Sequence, residues 1–133
     1  GELFFILGKN KQALLINKRA KELAIEVKRS FIELKAKILK HKIKFEIHKS
    51  VQERLETIKA LEELLAKQKK KERVANLNYE IWKLKKRIPL INQKNIKKNR
   101  NEAISLLTEL YKKTPKIDYK VKISELKQKK ANR

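Results

Sequence analysis

Cysteine and methionine are absent from this chain, and aspartate occurs once, as Asp118. Without cysteine there is no disulfide framework, no zinc ribbon and no thiol nucleophile. No window approaches the roughly 18 consecutive apolar residues that a membrane span requires. The run Leu3-Phe4-Phe5-Ile6-Leu7 is too short for a secretory signal and has no basic flank before it, so an intracellular location, cytoplasm or organelle matrix, is expected. The first residue is Gly1 rather than Met, which suggests a processed product or a piece of a longer protein.

Groups able to do chemistry are equally sparse. His41 and His48 are the only histidines, and two imidazoles with no third ligand at suitable spacing do not make a metal site. Glu62 and Glu63 are neighbours whose side chains diverge by about 100° on a helix, which is unsuited to paired acid–base work. Ser30, Ser50, Ser105 and Ser124 have no nearby histidine and no glycine elbow. Gly8 stands alone, without a phosphate-cradling loop. The expectation is a protein that is not an enzyme and needs no cofactor or metal.

What the chain has in excess is positive charge. Its 133 residues carry 37 Lys and Arg against 15 Asp and Glu, a net charge of +22. Such a chain repels itself unless something anionic screens it. Lysine-rich composition with abundant Ile and Asn is also what AT-rich coding produces, but the shortage of acids is not, since their codons are AT-rich too. The charge is unevenly placed: residues 9–44 hold 12 basic and 3 acidic side chains, and residues 67–100 hold 13 and 2. Between them, residues 45–66 are mildly acidic, with 3 basic and 5 acidic.

Neither Gly nor Pro occurs between Gly8 and Pro89, and the good helix formers that fill this stretch predict a mainly α protein. Ile16, Ala20, Leu23, Val27, Phe31, Leu34 and Ile38 form one seam on a helix over about residues 10–40, after an N-terminal extension 1–9. Ile25, Ile32 and Leu39 form a thinner stripe on another side, so this helix should touch more than one neighbour. The alternation in Ile43, Phe45 and Ile47 suggests a short extended or β segment at 42–48. Ser50 followed by Glu53 reads as a capping box that opens the next helix. The apolar face of that helix begins Val51, Leu55, Ile58, Leu61, Leu65. Beyond the lysine run at 67–71 the stripe continues as Val74, Leu77, Ile81, Leu84 and Ile88, turned about a third of a revolution. With no Gly, Asn or Pro to mark a hairpin, one helix over 50–88 that changes partner is favoured. Pro89 ends it. A basic loop is expected over 89–99, then a helix over 100–113 capped by Asn99, then a second alternating segment at 116–123 and a basic tail from Leu126. The helices would form an extended bundle or coiled-coil-like arrangement in a single domain.

The strongest functional feature is the basic stretch Lys69, Lys70, Lys71, Arg73, Lys83, Lys85, Lys86, Arg87, Lys94, Lys97, Lys98 and Arg100, continued by Lys112 and Lys113. Phosphates along a nucleic acid call for cations spread over tens of ångströms, which a helix and a cationic loop supply. Tyr79 and Trp82 lie among these charges and could stack on bases or pack over lysine stems. The amides of the segment 92–101 could reach phosphate, ribose or base edges. The stripe of Val51, Leu55, Ile58, Leu65, Leu77, Ile81 and Leu84 is a candidate for binding partner proteins.

These features lead to a nonenzymatic nucleic-acid-binding protein, with RNA favoured, acting as a structural component of a ribonucleoprotein assembly through phosphate contacts. In composition, though in no motif, the chain resembles the structural proteins of ribosomes. The alternative is a helical scaffold or stalk subunit of a multiprotein complex, assembled through the apolar seams. A membrane-surface helix is disfavoured because cations surround the stripes on several sides. A fragment of a larger nucleic-acid enzyme is the remaining reading.

Overall fold

A computed structural model describes residues 2–128, with side-chain detail for Lys11 and from Leu15 onward. Five helices follow in order: α1 (Glu2–Ile47), α2 (Val51–Ala66), α3 (Lys71–Lys85), α4 (Gln93–Lys113) and α5 (Ile117–Lys127). No strand occurs among the described residues. The contacts divide the chain into two units, residues 1–40 and residues 41–133. The first is helical along its described length. In the second, the last turns of α1 and helices α2–α5 pack as a compact bundle.

Both extended segments expected from alternation are helical. In 42–48, Phe45 is fully buried while Ile43 and Ile47 are exposed, so the three do not share a face as a strand would require. Phe45 instead lies seven residues beyond Ile38, in the helical row of the first seam. In 116–123, Tyr119 is buried and Ile123 half-buried, while Ile117 and Val121 are exposed. Tyr119, Ile123 and Leu126 step by 4 and 3, a helical spacing, and Leu126 is buried rather than part of a frayed tail. Residues 129–133 of the expected basic tail lie outside the described residues. At the other end, α1 already begins at Glu2, so the helix takes in the expected N-terminal extension.

The expected helix over 50–88 is two helices. α2 stops at Ala66, where the backbone N–H of Lys67 bonds to the Leu64 carbonyl and the N–H of Gln68 to that of Leu65. The side-chain amide of Gln68 also donates to the Leu64 carbonyl at 3.0 Å. These bonds satisfy terminal carbonyls that a helix leaves open, without glycine or proline. The change of stripe phase therefore marks two helices with separate faces. Ser50 does open α2: its oxygen accepts from the Glu53 N–H at 3.2 Å, and its hydroxyl donates to the Glu53 carboxylate at 2.8 Å. Arg54 closes the preceding helix end, donating to the Phe45 and His48 carbonyls at 3.1 and 2.9 Å while its guanidinium covers the Phe45 ring.

α3 is the central element, packed against both α2 and α4, and α4 packs in turn on α5. Ala75, Leu77, Asn78, Tyr79, Ile81, Trp82, Leu84 and Lys85 of α3 are all buried. One cluster joins Ala75, Tyr79 and Trp82 to Ile96, Ala103 and Leu107 of α4 and to Tyr119 and Leu126 of α5. Between α3 and α4, Pro89 and Leu90 make a tight turn in which Leu90 takes φ 64°. α4 starts at Gln93 with Asn92 as N-cap, its side chain accepting from the Lys94 N–H at 2.8 Å. Most of the basic loop expected at 89–99 is thus the first turns of a helix. Asn99 is buried inside that helix instead of capping it.

Candidate nucleic-acid interface

Contacts between α3 and α4 run antiparallel. Lys71 pairs with Glu109, Asn78 meets Asn99, and Lys85 reaches Asn95. This order sorts the basic residues into two groups. Lys69, Lys70 and Lys71 at the start of α3 share an end of the hairpin with Lys112 and Lys113 at the close of α4. Lys83, Lys86 and Arg87 share the other end with Lys94, Lys97 and Lys98.

α4 connects the groups. Its inward positions Ile96, Asn99, Ala103 and Leu107 are buried. Lys94, Lys98, Asn101, Ser105 and Lys112 are exposed and fall on one outer face at helical spacing, with Lys97 beside it. Lys94 and Lys112 are 18 residues apart, or about 27 Å at 1.5 Å per residue. The face is therefore cationic at both ends, with the amide of Asn101 and the hydroxyl of Ser105 between them and the carboxylates of Glu102 and Glu109 along one edge. No acidic residue occupies the first turn of α4, so the helix dipole adds positive potential beside Lys94 and Lys97. Among the described residues, Lys94, Lys97, Lys98 and Lys112 form no ion pair.

Other residues of the basic stretch are engaged within the protein. Lys85 has 2% relative exposure. Its ammonium donates to Asn99 Oδ1 at 2.6 Å, Asn95 Oδ1 at 2.7 Å and Glu62 Oε2 at 3.1 Å. Asn99 donates onward to Asn78 Oδ1 at 2.8 Å, and Asn78 to the Val74 carbonyl at 2.9 Å. Every donor of the Lys85 ammonium has a partner, as burying a cation demands. The amides Asn95 and Asn99, which the sequence offered to nucleic acid, are likewise engaged in holding Lys85.

Trp82 is also withdrawn from the surface, at 5% exposure, so its ring does not offer a face for base stacking. Lys86 covers that ring at 4.2 Å, and Lys83 and Lys122 lie over Tyr79 at 5.1 and 5.2 Å. Of the two aromatic roles considered, packing under lysine stems is the one seen. Arg87 forms a two-pronged pair with Glu46, and this hydrogen bond holds the Glu46 carboxyl below the usual carboxylate range. The Lys71 hydrogen bond does the same for Glu109. Arg100 is half-buried and donates to the Leu126 carbonyl at 2.6 Å, tying α4 to α5. Arg73 is half-buried.

The candidate partner stripe divides in the same way. Ile58, Leu77, Ile81 and Leu84 are buried, and Leu65 is half-buried, so these residues build the chain's own bundle; Val51 and Leu55 remain exposed. His48 Nδ1 meets Glu53 Oε2 at 2.6 Å, and among the described residues no three His, Asp or Glu side chains gather as a metal site. No helix among them is long and apolar enough to cross a membrane. On the outer face of α4, Asn101 belongs to the amide segment 92–101, whereas Ser105 lies beyond it. Their seven-residue phase with Lys94, Lys98 and Lys112 becomes visible only once the helix is known to start at Gln93.

No known family, no curated protein and no solved structure matches this chain.

Proposed function

We propose that the chain is a nonenzymatic nucleic-acid-binding protein, with RNA the favoured ligand, and that it serves a ribonucleoprotein assembly through phosphate contacts. The observation that carries this reading is the outer face of α4, with Lys94, Lys97 and Lys98 at one end and Lys112 at the other. Cations about 27 Å apart along one rigid helix match a polyphosphate better than a single small anion. Asn101 and Ser105 between them offer neutral hydrogen bonds to phosphate or ribose. With Trp82 in the core, recognition rests on charge and shape rather than base stacking.

The test is the affinity of the full chain for an unrelated RNA across a salt series. The logarithm of the binding constant should fall linearly with the logarithm of salt, with a slope of about −0.7 to −0.9 per phosphate contacted. Replacing Lys94, Lys97 and Lys98 together by Gln should make the slope shallower by about 2 to 3. Replacing Lys69, Lys70, Lys112 and Lys113 should flatten it as well. Negligible binding at about 50 mM salt, or a slope that ignores the α4 lysines, would count against the proposal. The scaffold alternative draws its support from the exposed apolar residues of α1, since the stripe on α3 is taken up by the core.

A further inference from the structure

We infer that the stripe Ile25–Ile32–Leu39 on α1 is a docking surface for an acidic amphipathic helix of another protein. These three side chains are 59%, 55% and 57% exposed, although large aliphatic residues gain most from leaving water. Their spacing of seven repeats along the helix is that of one coiled-coil position, which keeps them on a single face. A long helix in water depends mainly on packing of its apolar face for stability, so three aligned aliphatics left open point to a covering element.

The chemistry of that element follows from the flanks. At about 100° per residue, Lys18, Lys21, Lys28 and Arg29 lie within about 60° of the stripe, Glu22 borders it at Ile25, and Glu26 and Glu33 lie further round on the same edge. The charges beside the stripe are therefore mainly positive, with Glu22, three residues before Ile25, the acidic exception. A second copy of the chain would set lysine against lysine, which destabilises helix pairing. RNA does not cover Ile and Leu side chains. A membrane surface takes one face of a helix and leaves a polar face to water, yet Ile16, Leu23 and Val27, on the opposite side, are exposed as well. A helix with its own apolar stripe, bordered by Glu and Asp, satisfies both the aliphatic row and its basic margins. This stripe shares no residue with the lysines of α4, so the inference stands or falls independently of the RNA reading.

The probe is a synthetic peptide of about four heptads, with Leu and Ile at the a and d positions and Glu at e and g. Its binding to the full chain is measured by calorimetry and by the gain in helical circular dichroism. Two control peptides accompany it, one with the same composition in scrambled order and one with Gln in place of Glu. Both controls should bind about tenfold more weakly or worse. The triple variant Ile25→Gln, Ile32→Gln, Leu39→Gln should lose affinity for the acidic heptad peptide by a similar factor. Its helicity and its salt-dependent RNA binding should be unchanged. Equal binding of the scrambled and heptad peptides would reduce the effect to bulk charge and overturn the inference. So would full affinity in the triple variant, a self-associated chain that the variant dissociates, or a variant impaired only toward anionic vesicles.

Discussion

Lys85 and Asn99 meet at 2.6 Å across the α3–α4 contact, the charged end of a lysine held by the amide oxygen of an asparagine seven residues into α4. Both side chains are buried. Asn95, Glu62 and Asn78 complete the network, which joins α2, α3 and α4. Apolar packing tolerates small rotations, but a lysine with three fixed acceptors does not, so the network sets the register of the hairpin.

Replacing Lys85 by Met keeps the stem and removes the donors, leaving two amide oxygens without their partner. The cost should be about 1–3 kcal/mol, read from urea unfolding. In a double-mutant cycle with Asn99→Ala the two changes should be strongly non-additive. Additive losses would show that the pair is not coupled. RNA affinity should change little in Lys85→Met, in contrast to the α4 surface variants.

Trp82 should report folding and not ligand binding. Its fluorescence should be blue-shifted and protected from added quenchers, and saturation with RNA should leave it nearly unchanged. Trp82→Ala should cost about 3–5 kcal/mol by opening the core. Strong quenching of the wild-type signal by RNA would instead place the ring at the binding surface.

Tyr79 is buried and its hydroxyl donates to Glu125 Oε2 at 2.6 Å. Burial first, and then that carboxylate, raise the phenol above its ordinary value of 10.0. The resulting stability is fully present below the unfolded phenol's pKa of about 10 and is lost as pH rises from there toward the folded value. The wild type's stability relative to Tyr79→Phe should therefore be constant from pH 7 to 9 and decline above about pH 10. A difference that stays flat to pH 11.5 would contradict the burial of this hydroxyl. Comparing the two proteins at each pH cancels the titration of the many lysines.

Leu90 takes φ 64° with its side chain fully exposed, so it carries the strain of a left-handed residue with no packing in return. Asparagine tolerates this conformation far better. Leu90→Asn should raise stability by about 0.5–1 kcal/mol, measured by thermal or urea unfolding, and leave RNA binding intact.

Much of the helical character could be read directly. The seams, Ser50 with Glu53, Pro89 and the stop at Thr114-Pro115 are local signals, set by side-chain spacing and backbone chemistry within a few residues. The misread points each depend on contacts between elements. Alternation at 42–48 and 116–123 looked like strand because two periodicities coincide over a few residues, and only the burial of Phe45, Tyr119 and Leu126 separates them. The break after Ala66 carries no glycine or proline: the backbone N–H groups of Lys67 and Gln68 and the Gln68 side chain bond to the Leu64 and Leu65 carbonyls there.

Among the basic residues, sequence alone established the amount of charge and its concentration in residues 67–100. It could not distinguish Lys85 from Lys86, neighbours of identical chemistry, one sealed in the core and the other lying over an indole ring. Composition is additive along the chain and survives any folding, so it established a helical, strongly cationic protein without reference to three dimensions. Which lysines face outward is decided by the antiparallel pairing of α3 with α4, because burial depends on neighbours distant in the chain. That pairing engages Lys71 and Lys85 with internal partners and leaves Lys94, Lys97, Lys98 and Lys112 exposed to solvent.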